Sequence, residues 1–169
     1  MKTSIRTICP IFNTHRKAEE YTERFYLPCA LRRNELRKDG RKRAIEFAKW
    51  KQKIRDGWSQ VRVLEVQSGP TRNLPYGSKL PVRAKLRLGG LTQNDVTVEI
   101  YYGALDPYGR IIDGRAVEMQ CVGGSDGPIY DFEGALTCDR TGELGFTVRI
   151  IPHHPDLAQK HETTLINWA

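Results

Sequence analysis

Adjacent histidines, His153 and His154, followed by His161, are the first place where this sequence could do chemistry. Imidazole nitrogens bind zinc and carry protons near neutral pH. Pro152 and Pro155 put that pair in an extended turn, and the spacing to His161 matches no zinc-ligand pattern. Hydrogen-bonded loop histidines are the expectation, and His15 stands apart from them. The serines are Ser4, Ser59, Ser68, Ser78 and Ser125, and none sits in a Gly-x-Ser-x-Gly elbow. Cys9, Cys29, Cys121 and Cys138 are far apart, with no Cys-x-x-Cys pair, and read as reduced, mostly buried thiols. Asp126, Asp131 and Glu133 would serve glycoside hydrolysis only if a cleft brought two carboxyls together. Their spacing fits solvent-facing positions beside a turn.

Aromatic side chains are the remaining candidates. Flat rings pack on the C–H faces of sugars while hydroxyls reach polar neighbours. Trp50, Trp58, Trp168, Tyr101, Tyr102 and Tyr130 could work this way. Trp50 and Trp58 lie on or just after a helical stretch, so packing at a helix–sheet junction is the preferred reading, with carbohydrate contact as the minor one. No residue is assigned a catalytic, cofactor-binding or metal-binding role.

The elements that would position these groups divide the chain. Residues 1–59 hold 16 Lys/Arg against 7 Asp/Glu, and residues 60–169 hold 11 against 13, within a formal net charge of +7 over 169 residues. A basic half joined to a near-neutral half implies two structural units with different neighbours. Nucleic acid is disfavoured as partner because Tyr21 and Phe25 fall on an apolar helix face. A solvated surface or a dock onto an acidic body fits the charge better. No apolar run is long enough for a signal peptide or a membrane span, so a cytoplasmic chain is expected.

In the first half, Asn13 and Thr14 are N-cap types, and Ala18, Tyr21 and Phe25 recur at helical spacing. Pro28 is expected to end or kink that helix. A second helix is expected over 29–38, closed by Asp39–Gly40, and a third over 41–57 with Ala44, Phe47, Ala48 and Ile54 on one face. The period then changes to two. Alternating runs at 61–66, 82–88, 96–102, 117–121, 130–138, 146–150 and 163–168, separated by Gly/Pro turns, predict an antiparallel immunoglobulin-like β-sandwich. The fold class is α+β, with a basic helical segment over 1–59 and a sandwich over 60–169. No glycine-rich phosphate loop opens a helix.

Residues 4–28, SIRTICPIFNTHRKAEEYTERFYLP, resemble the closing segment of the catalytic body in α-glucan phosphorylases, with Phe12, Arg16, Glu20-Tyr21 and Phe25-Tyr26 at the matching places. The ERFYLP ending is similar to bacterial and archaeal short-type members. Leu88-Gly89-Gly90-Leu91, VEIYYG over 98–103, GFTVRIIPHHP over 145–155 and the final Asn167-Trp168-Ala169 resemble the tail of that subgroup. Lys17 departs from the pattern, which has an apolar residue after the arginine.

The resemblance implies a family that transfers a glucosyl unit from α-1,4-glucan to orthophosphate, using pyridoxal phosphate on a lysine in a glycine-rich Met-Lys motif. Here Met1-Lys2 is the start and Met119 precedes Gln120, so the motif is absent. The expectation is a carboxy-terminal structural and docking module that is not catalytic alone and carries no cofactor. Its partner would be the remainder of the catalytic body or another copy. The alternative is an independent sandwich that binds glucan or a protein.

Overall fold

The computed structural model describes residues 2–8, 11, 13–124, 127–139 and 141–169. Cys9, Phe12, Ser125 and Asp126, all weighed above, lie outside the described residues, as does the side chain of Ser4. The chain forms two compact units, Met1–Lys49 and Trp50–Ala169.

The first unit holds α1 (Lys2–Ile8), α2 (Thr14–Tyr21), α3 (Leu27–Arg37) and the opening turns of α4 (Lys42–Gly57). Asn13 caps α2 as its type suggests, its Oδ1 accepting from the Arg16 N–H at 2.7 Å. Pro28 does not end the helix. Helical structure runs unbroken over 14–37, because Thr22–Tyr26 widens into a π turn in which the Leu27 N–H reaches back to the Thr22 carbonyl. A proline ring clashes with the carbonyl four residues back and offers no N–H. A wider turn just before it relieves that conflict.

The expected stop at Asp39–Gly40 is present in an extended form. Asp39, Gly40 and Arg41 have φ of 50°, 65° and 68°, three successive left-handed residues. Only glycine adopts that conformation without steric cost.

In the second unit the last turns of α4 place Ile54 in a core with Trp58 and Val61. Among the described residues eight strands follow: β1 (Arg62–Ser68), β2 (Lys79–Arg87), β3 (Val96–Leu105), β4 (Ile111–Glu118), β5 (Gln120–Gly124), β6 (Ile129–Thr137), β7 (Leu144–Pro152) and β8 (Asn167–Trp168). They make two antiparallel sheets, β1-β2-β6-β5 and β4-β3-β7-β8. Seven of the strands follow the immunoglobulin order ABED and CFG, with β4 added beside β3.

β2 shows why the sandwich forms. Leu80, Val82, Ala84 and Leu86 are buried, while Lys79, Pro81, Arg83, Lys85 and Arg87 between them are exposed. Each large apolar side chain removed from water in this way contributes about 1.5–3 kcal/mol. The facing layer comes from Val98, Ile100, Val148 and Ile150.

One reading of the alternation needs correction. Residues 117–121 are not a single strand: β4 ends at Glu118 in one sheet and β5 begins at Gln120 in the other. Met119, buried in the core, is the crossing point, and its N–H donates to the Val98 carbonyl at 2.8 Å. The strand expected over 163–168 shrinks to Asn167–Trp168. Gly114 is required by packing, since a Cβ there would sit 2.1 Å from the Tyr101 ring.

Candidate functional site

Two buried carboxylates organise the second unit, and period-two reasoning identified neither. Asp95 closes a short turn after Thr92, accepting from the Thr92 N–H at 2.9 Å and hydroxyl at 2.8 Å. It also accepts from Trp50 Nε1 at 3.0 Å and Lys53 Nζ at 2.6 Å, so it fastens the end of α4 to the sandwich. Burial pushes its carboxyl up. The Lys53 and Thr92 hydrogen bonds outweigh that and hold it below the ordinary carboxylate value. The signal was legible in part: Thr92 followed three residues later by Asp95 is a capping-box spacing.

Glu99 lies on the outer face of β3 yet is only 2% exposed. Its oxygens accept from Arg149 Nε at 2.8 Å and from Lys160 Nζ. The Arg149 guanidinium lies 4.8 Å from the Tyr101 ring centre and 5.6 Å from that of Trp168. Cation–π contact and two charge-assisted hydrogen bonds offset the desolvation of the acid. Lys51 bonds Glu162 at 2.6 Å, a further tie from α4.

The residues weighed for chemistry scatter among these structural roles. His154 packs against Trp50 with ring centres 4.7 Å apart and planes tilted by 41°, and its Nδ1 accepts from the Asp156 N–H at 3.1 Å. The His153 N–H donates to the Asp95 carbonyl. Among the described residues no group of three His, Cys, Asp or Glu could hold a metal. Cys29, Cys121 and Cys138 are free thiols, exposed, half-buried and buried in turn. Glu133 pairs with Arg83 at 2.7 Å across the β2–β6 ladder. Trp58 joins the core, Tyr130 packs against it, and Trp168 meets Tyr101 edge-on at 5.5 Å.

Pyridoxal phosphate does not fit these residues. It needs a lysine amine beside donors for its phosphate. Lys51, Lys53 and Lys160 are held by carboxylates. Lys85 lines a shallow hollow together with Glu65, Asp131 and Glu133, whose charge opposes a phosphate. A larger cavity of about 680 Å³ lies at one end of the sandwich, with Leu74, Tyr102, Leu136 and Phe146 in its walls and Arg72 and Glu143 among its polar lining. No described helix is long and apolar enough to cross a membrane.

The helical unit presents a different kind of surface. From Thr14 to Arg37 no residue is buried. Tyr21, Phe25, Tyr26, Leu27 and Leu31 are all exposed, Tyr26 at 64% and Leu31 at 66%. Ile5, Ile8 and Ile11 add to this set. Tyr21 contacts Phe25 and Tyr26 at centroid distances of 5.5 and 6.4 Å, so the aromatics form one cluster.

Residues 58–169 match the glycogen phosphorylase C-terminal domain family. Over its whole length the chain is 30% identical to a glycogen phosphorylase of Mycobacterium tuberculosis, and 99% of it aligns at 32% identity with a maltodextrin phosphorylase of Thermococcus litoralis. In both cases the chain spans about 20% of the relative. No solved structure matches. A sandwich with immunoglobulin strand order, preceded by helices with an uncovered apolar face and matched across residues 58–169, belongs to the glycogen phosphorylase C-terminal domain family.

Proposed function

We propose that this chain is a structural and docking module of an α-glucan phosphorylase that completes the catalytic body and does not carry out phosphorolysis alone. One observation carries the reading. A chain that aligns along its whole length with only a fifth of its relatives also exposes Tyr21, Phe25, Tyr26, Leu27 and Leu31 on its helices. The remaining four-fifths of such an enzyme would supply a cover for them. In this reading residues 1–28 correspond to the close of the body, 1–59 to the basic helical segment that contains them, and 60–169 to the tail. The whole enzyme would release α-glucose 1-phosphate from α-1,4-glucan in the cytoplasm, with pyridoxal phosphate held by the body.

The test is reconstitution with the upstream body from the same genome, expressed as a separate polypeptide. The chain alone should give no glucose 1-phosphate, and the mixture should co-elute as one complex with phosphorolytic activity. A body that neither binds the chain nor gains activity or stability from it would overturn the reading.

The alternative is an independent glucan-binding sandwich, which would use the 680 Å³ cavity beside Tyr102 and Phe146. Titration with maltodextrin decides it. Saturable binding that Phe146→Ala abolishes supports this alternative, and no binding at millimolar sugar removes it.

A further inference from the structure

We infer that a hollow on the helical unit, lined by Arg32, Arg33, Leu36, Arg37, Arg41 and Ala44, receives carboxylates from an acidic segment of the phosphorylase body. The inference rests on the docking reading above and adds the chemistry of the partner. The hollow measures about 320 Å³. Four arginines and no lysine line it; its exposed surface is mainly apolar, and the Arg32 guanidinium lies 5.6 Å from the Phe47 ring centre, which leaves Arg33, Arg37 and Arg41 to meet an anion at its rim. A guanidinium presents a planar fork of donors that matches a carboxylate two bonds at a time, which a lysine ammonium cannot do.

Three further observations support a carboxylate receptor rather than a merely solvated surface. Arg33 and Arg37 stand four residues apart on α3, an arrangement that disfavours an isolated helix through like-charge repulsion. Arg41 is held with φ of 68°, in the left-handed region that a long side chain avoids, and that turn brings it to the hollow. Among the described residues the Arg33, Arg37 and Arg41 side chains make no ion pair, whereas neighbouring Lys38 bonds Glu35 at 2.7 Å.

The charge of the unit selects the occupant. Residues 1–49 carry 13 Lys/Arg against 6 Asp/Glu, and residues 50–169 carry 14 of each. The full +7 therefore belongs to the helical unit. Two copies meeting through this surface would set like charge against like charge, which association disfavours. An acidic partner gains both ionic contacts and the apolar cluster around Leu31.

Two variants test the inference in the reconstitution with the upstream body. Arg33→Gln/Arg37→Gln/Arg41→Gln should weaken association by about tenfold or more and flatten its salt dependence. Lys2→Gln/Arg6→Gln/Lys49→Gln removes the same charge from residues that neither line the hollow nor adjoin its lining and should weaken it far less. Circular dichroism establishes that both fold. Equal effects of the two triple variants, or none from the arginine set, would overturn the inference. Phe25→Ser/Leu31→Ser separates it from the docking reading. If that variant abolishes association while the arginine set has no effect, docking stands and the carboxylate receptor falls. If neither variant matters, both fall. Competition supplies a last arm: polyglutamate should displace the body from the wild-type chain. Displacement by orthophosphate or a single-stranded oligonucleotide, with polyglutamate inert, assigns the hollow to another anion and overturns the proposal.

Discussion

The helical unit and the sandwich both carry patterned apolar residues but use them in opposite ways. In the sandwich, Leu86, Ile100, Val148 and Ile150 are fully buried between two sheets. Along 14–37, Tyr21, Phe25, Tyr26 and Leu31 stay in water. Charge follows the same division, +7 on one side and balanced on the other. A sheet pair satisfies its apolar faces internally. A lone helical ribbon cannot, and its amphipathic pattern becomes a statement about something else.

That contrast can be broken experimentally, most forcefully in the sandwich. Leu86→Ala should lower its stability by about 2–5 kcal/mol in urea melts, since the facing sheet cannot collapse onto the gap. Arg149→Ala should come next, at about 3 kcal/mol, because it strips Glu99 of one cation and leaves a buried acid with Lys160 alone. An unchanged melt would mean that Glu99 is hydrated.

Asp95→Asn should cost about 1–3 kcal/mol and change Trp50 fluorescence as the indole loses its acceptor. This site also predicts a pH response. Because the folded carboxyl lies below its ordinary value near 3.8, its contribution is complete above that pH. The contribution drains away as pH falls through the lowered folded value. The asparagine variant should lack that part of the acid slope. Arg83→Gln, which removes an exposed cross-strand pair, should change stability by about 0–1 kcal/mol. Leu31→Ser should leave the melt of the isolated chain within about 0.5 kcal/mol, though it weakens docking. A large loss there would show that the helices bury this face themselves.

How much of this was legible depended on whether a local period decided it. The alternation of Val82, Ala84 and Leu86 gave β2 directly, and the helical spacing of Tyr21 and Phe25 gave an apolar face. The break at Met119 was invisible because β4 and β5 aim alternate residues at the same core from opposite sheets. Glu99 reads as solvent-facing by period two, yet Lys160 in the segment before β8 reaches over it. Of the two outcomes expected at Pro28, an end or a kink, the end does not occur, because the π turn ahead of it changes the register that a proline rule assumes. The arginine hollow depends on three left-handed residues in a row, and a sequence names only Gly40 as suited to that.

β8 is two residues long, yet it pairs with Arg149 and Ile150, and Asn167 Nδ2 donates to the Val61 carbonyl at 3.0 Å. The sandwich thus closes by joining its last strand to its opening residue. During synthesis β7 emerges first and presents an open edge until Asn167 and Trp168 clear the ribosome. Open edges recruit other strands. We predict that deleting these two residues raises aggregation during translation more than it lowers the melting point of the purified chain. Comparing the soluble yield with the melt tests this, and equal losses in the two would refute it.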